Sequence, residues 1–188
     1  IWSSASAVLS EIMARRLVPE DVPAVVAMSL HEGSVEDVES RHPVLALYQG
    51  LFEQVDPLSH LGLQSDAEGD ATRQHVLQIQ GVGDWYAPSR VSDVVARLTG
   101  AQLASPILRE IEGVESVAPP LTNNVGSEAA PRTSVVIQSS PPDASNGEPA
   151  WEAGQAWRED VGVRQQLQTF ISSWLTEGVP TLEPRTGL

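Results

Sequence analysis

Two short apolar runs do most to limit what this chain can fold into. In "HVLQIQ", Val76, Leu77 and Ile79 alternate weakly with polar residues, as a strand does, and "TSVVIQS" is a second strand-like run. Between them "PSRVSDVVARL" places Val91, Val94, Val95 and Leu98 on the inner face of a helix starting near Pro88 or Ser89. A final helix is predicted from about Arg158 to Thr176, with Val163, Leu167, Phe170, Ile171, Trp174 and Leu175 on one stripe and Trp174 in the core. Gly178 then suits the left-handed residue after the helix, and Pro180 prevents continuation. Strand, helix, strand, helix is the order of an α/β fold with parallel strands and helical crossovers. Parallel strands are buried on both faces and need neighbours on each side. Only two or three strands are visible, so the expectation is one domain over residues 1–188, incomplete at its N-terminus.

The preceding part reads as helical. "IWSS" suits the end of a strand. "SAVLSEIMARRL" carries Val8, Leu9, Ile12, Met13 and Leu17 near helical spacing, with Arg15 and Arg16 at the end that favours cations. "PEDVPAVVAMSL" has a helix-start signal in Pro19 and the two acids after it. In "HPVLALYQGLFEQ", Val44, Leu45, Leu47, Tyr48, Leu51 and Phe52 wrap a broad apolar face, and "DPLSHLGL" reads as a short helical turn. Residues 6–65 thus form a helical insert and residues 75–179 the β-α-β-α portion. "HEGSVEDVESR", "QSDAEGDATRQ", residues 113–133 and "SPPDASNGEPAWEAGQ" read as loops.

Composition removes several functions. The net charge is −14 and every basic side chain is Arg, with no Lys, so the surface repels phosphate backbones and no nucleic-acid partner is expected. Absence of Cys excludes disulfides, thiolate nucleophiles and Cys-bound zinc. No apolar run approaches the ~20 residues of a membrane helix. The His residues lack metal-ligand spacing, and the acidic clusters lack the spacing of a calcium loop, so neither metal nor cofactor is expected. "IWSSASAVLSEIM" does not have the pattern of a signal peptide.

"GVGDWYAP" carries the candidate site. Asp84 follows a strand, between glycines that permit a sharp turn and the aromatic pair Trp85 and Tyr86. A carboxylate there either closes an Asx-turn or caps the helix behind it, or it is aimed at a site at the strand end. Trp85 and Tyr86 either line a pocket mouth for an acyl chain or pack under the turn.

In "HVLQIQGVGDWYAPSR", in "TSVVIQS" and in the Trp-containing helix up to "EGVPTLEP", the second half resembles the C-terminal part of an α/β-hydrolase. "SRHPVLALYQGLFEQVDPLSH" resembles a helical segment inserted before the acid strand in some bacterial members that look secreted or lipid-anchored. The resemblance implies a partial α/β-hydrolase-like sheet (its last strands), an inserted helical lid and a C-terminal closing helix. It also implies hydrolysis of esters or related acyl substrates, with Asp84 as the acid that orients a catalytic imidazole.

Two departures qualify that implication. No G-x-S-x-G elbow occurs, and "VGSEA" around Ser127 lacks the second Gly, so the nucleophile would lie upstream of Ile1. The base is also missing. It belongs between Ser139 and Arg158, yet no His follows His75, and Gly154-Gln155 is the best match to the expected Gly-His pair. An amide cannot accept a proton at neutral pH. His42 and His60 flank the inserted helix and could overhang the site, although His42 suits a helix start. His75 begins the acid strand, far from its other end, and His31 reads as solvated. Trp151 and Trp157 could form a binding surface if exposed. The alternative is a catalytically inactive relative that binds a small apolar ligand or a partner protein.

Overall fold

The computed structural model describes residues 2–3, 9–17, 20–38, 42–66, 74–84, 87–140 and 160–186. It is a mixed α/β fold. The strands are β1 (Trp2–Ser3), β2 (Val76–Gly81), β3 (Gln102–Ala104), β4 (Ser116–Val117), β5 (Val125–Ser127), β6 (Ala130–Arg132) and β7 (Ser134–Ser139). The helices are α1 (Leu9–Arg15), α2 (Val22–Leu30), α3 (Pro43–Phe52), α4 (Pro57–Asp66), α5 (Ser89–Leu98) and α6 (Val161–Glu177). Five strands form one sheet in the order β1-β2-β7-β3-β4, with every neighbouring pair parallel. β5 and β6 form a separate antiparallel hairpin.

This sheet has more strands than the two or three expected. β3 and β4 extend it on the far side of β7, and residues 113–133 hold β4 and the hairpin instead of loop alone. Strands of two or three residues are too short to show an alternating pattern.

The sheet's two faces differ. On one, Leu77 and Ile79 of β2 and Val135 and Ile137 of β7 pack with Val163 and Phe170 of α6. Leu121 and Leu182 complete this core, joined by a two-way backbone bridge of 3.0 and 2.9 Å. On the other face, Leu103 and Val136 meet Ala96 of α5, but Gln78, Gln80 and Gln138 are also buried there. Their amide N–H groups are held, while Gln78 Oε1 has no partner among the described residues. Gln78 Nε2 donates to Ser92 O (2.8 Å), Gln80 Nε2 to Asp93 Oδ1 (2.8 Å) and Gln138 Nε2 to Gln80 Oε1 (2.9 Å). Gln138 Oε1 accepts the N–H groups of Leu108 and Arg109, both at 2.9 Å, and so fixes the segment after β3.

The helix ends follow capping chemistry. Asp21, His42 and Asp160 accept backbone N–H groups at the starts of α2, α3 and α6. Gly178 closes α6 in the left-handed conformation with φ 78°, as expected. α6 begins at Val161, with Asp160 as its cap, and Arg158 lies outside the described residues.

Several expected apolar faces are not buried as such. In α5 the buried residues are Val91, Ser92, Asp93, Val95 and Ala96, while Val94 and Leu98 are half-buried. This helix serves a partly polar sheet face and also packs Val95 and Leu98 against Leu58 and Leu61 of α4. In α3 only Leu45 is buried, within a small cluster with Val26, Ala27 and Val38, and Leu47 and Leu51 are exposed. Trp174 is 54% exposed, against the expectation of a core residue, since Phe170 is the last residue of α6 to reach the core. "DPLSHLGL" belongs to the ten-residue α4 and is more than a turn. Among the described residues, no helix is long and apolar enough to cross a membrane.

Candidate functional site

Adjacent strands β2 and β7 send their following helices to opposite faces: α5 covers the glutamine face and α6 the apolar one. In open α/β sheets, ligands bind at the carboxyl ends of strands whose following helices diverge in this way. The ends are level. Gly81 pairs with Ser139, and Val82 N–H continues the ladder to Ser139 O at 2.8 Å. The two strands therefore end side by side, about one strand spacing (~5 Å) apart.

Asp84 stands three residues beyond that pair. Gly83 turns the chain with φ 82°, a conformation that side chains oppose. The Asp84 carboxylate is 5% exposed, and its Oδ1 accepts the Ala87 N–H at 3.0 Å. This is the local turn bond allowed for in the sequence, and α5 starts directly after it with no side-chain cap at Pro88. The strand-end placement and the turn bond therefore coexist in one residue.

On the β7 side, Ser139 is buried and its Oγ has no hydrogen-bond partner among the described residues. Arg185 anchors the neighbouring backbone. Its Nη2 donates to Gln138 O at 2.7 Å, and its Nη1 pairs with Asp160 Oδ2 at 3.3 Å. Burial pushes the guanidinium below its ordinary pKa, and the Asp160 charge opposes that shift. The Arg185 stem lies over Gly162, where a Cβ would come within 2.4 Å of its Cγ.

The histidines of the helical segment are engaged locally. His42 Nδ1 accepts the Val44 N–H (3.2 Å) and its Nε2 contacts Glu32 (3.0 Å), as suits a helix start. His60 Nε2 bonds Gln54 O at 2.8 Å, and His31 is the exposed left-handed residue after α2. His75 lies at the opposite end of β2 from Asp84. Its Nδ1 accepts the Thr133 N–H at 2.9 Å, and burial, then the Arg132 charge, lowers its pKa. Ser127 is exposed in the β5–β6 hairpin. Trp85, Tyr86, Trp151, Gln155 and Trp157 lie outside the described residues. Among the described residues, no three His, Asp or Glu side chains are grouped as metal ligands.

Compared with protein-family models, curated proteins and solved structures, the chain matches none.

Sequence reasoning passed over Ser139, Asp93, Arg109 and Arg185. Asp93 and Arg109 are ion-paired across 16 residues, and Arg185 reaches Gln138 across 47. Separations like these leave no local pattern to read. Ser139 does carry a signal, a hydroxyl at the end of the strand that contains the apolar run over residues 135–137.

Proposed function

We propose that this chain is the C-terminal part of an α/β-hydrolase-like protein that acts on esters or related acyl substrates, with Asp84 as the acid of its catalytic group. The observation that supports this most is the level pairing of Gly81 with Ser139. It sets the Asp84 turn beside the end of the final strand, and the base of such a site belongs in the segment that follows that strand. A buried carboxylate in that position holds an imidazole in one tautomer and stabilises its protonated form during acyl transfer. The nucleophile would come from chain outside residues 1–188, and the helical segment would cover the acyl site. A second reading is favoured by one observation, the lack of any His after His75. It makes the protein an inactive relative that uses the same strand ends to bind a small apolar ligand or a partner protein.

The test is a cycle in the whole protein with short-chain p-nitrophenyl esters. Gln155→His is expected to raise turnover roughly 10²-fold, the scale of an added general base. Adding Asp84→Asn is expected to remove that gain while the far-UV spectrum stays unchanged. A gain that survives Asp84→Asn would exclude Asp84 from the catalytic group. No gain, with an apolar fluorophore still bound saturably, would favour the inactive relative.

A further inference from the structure

A cleft of about 500 Å³ opens between α5, α1 and the segment joining β3 to β4. Arg90 and Arg97 reach it from α5, with Val94 between them, so all three share one side of the helix. The opposing wall carries Arg109, bound to Asp93 and fixed at its backbone N–H by the buried Gln138 amide. That wall is ordered in advance by the polar layer on the sheet.

The charges in this cleft are not all used. Asp93 is taken by Arg109, Glu11 by Arg15 at 2.6 Å, and Glu110 Oε2 accepts the Ser116 hydroxyl at 2.8 Å, while Glu112 is the fourth carboxylate of the lining. Among the described residues, neither Arg90 nor Arg97 is in an ion pair, although carboxylates line the same cleft. Arg97 makes one long bond, 3.2 Å, from Nη1 to the Glu112 carbonyl. Arg90 and Arg97 thus put two guanidinium forks on one wall of the cleft, outside any ion pair among the described residues, with N–H donors left over for an external acceptor even after the single Arg97 bond.

We propose that this cleft binds the oxyanion group of a small molecule, a carboxylate or a phosphate, with Arg90 and Arg97 as its donors. Asp84 does not line this cleft, and the proposal does not depend on ester hydrolysis. Its volume suits a metabolite-sized ligand, since such sites run from about 300 Å³ upward.

Calorimetric titration of the whole protein with inorganic phosphate and with butyrate, each at constant ionic strength against chloride, tests it. At least one anion is expected to bind saturably. In the double variant Arg90→Gln, Arg97→Gln its Kd is expected to rise roughly ten-fold or more through loss of two charge-assisted contacts. Both substitutions are on the surface side of α5, and an unchanged melting curve verifies the fold. Phosphate alone, or butyrate alone, would identify the oxyanion. Saturable binding of neither, or binding unchanged in the double variant, would overturn the proposal.

Discussion

The two faces of the central sheet come from the same two strands and are equally dry, yet they are built differently. Under α6, Leu77, Ile79, Val135 and Ile137 form an ordinary apolar core. Under α5, Gln78, Gln80 and Gln138 are at most 1% exposed and are held by directional bonds. Apolar packing tolerates small shifts of shape, whereas a buried amide tolerates none, because an unmet donor or acceptor keeps its full desolvation penalty. The α6 face holds the sheet together. The α5 face fixes the position of the segment after β3, and hence of the arginine-lined cleft.

The contrast can be broken at its strongest point by Gln138→Ala. It strands the buried Gln80 Oε1 and three part-buried backbone groups, the Arg109 carbonyl and the Leu108 and Arg109 N–H groups; an unpaired buried group costs about 1–3 kcal/mol and a partly wet one less, so a loss of about 4 kcal/mol is expected in urea unfolding. The matching change on the other face, Leu77→Ala, removes packing only and is expected to cost about 3 kcal/mol. A Gln138→Ala loss well below that of Leu77→Ala would reduce the polar layer to filler. In addition, Gln138→Ala should weaken oxyanion binding in the cleft, and Leu77→Ala should not.

His75 gives a smaller effect with a defined sign. Its folded pKa lies below the ordinary 6.5, because burial and Arg132 disfavour the imidazolium. The stability this contributes is therefore present above pH 6.5 and is lost as pH falls from there through the folded value. Melting temperatures measured from pH 7.5 to 5 should fall less steeply in His75→Gln than in the parent, and equal slopes would remove His75 as a source of acid sensitivity. The smallest effect belongs to Trp174→Ala. With 54% of the residue exposed, the change in stability should stay within about 0.5 kcal/mol. A larger loss would mean that something covers the end of α6.

The same contrast explains what could be read in advance. Alternation of Leu77 and Ile79 with polar neighbours, and the helical spacing of Val91 and Val95, suffice for β2, α5, β7 and α6. The parallel sheet follows from their order. Legibility stops where a residue's role depends on a distant partner. Gln78 and Gln80 resemble the solvated side of a half-exposed strand until α5 is laid over them. Asp93 looks like a surface acid of an amphipathic helix until Arg109 meets it. β3 and β4 are too short for any period. Asp84 was readable as a turn residue at a strand end, because Gly83 and Asp84 are neighbours in sequence. Its relation to β7 rests on a pairing between residues 58 positions apart, and the chain order does not display it.

The level ends of β2 and β7 also bear on how such a protein can change over time. The strands terminate in register, and the helices behind them part to opposite sides. Gly81 and Ser139 are therefore neighbours whose strands are followed by helices on different faces. If the strand ends carry the proposed site, substitutions or length changes beyond either of them alter what is recognised, while the apolar layer and the amide layer stay as they are.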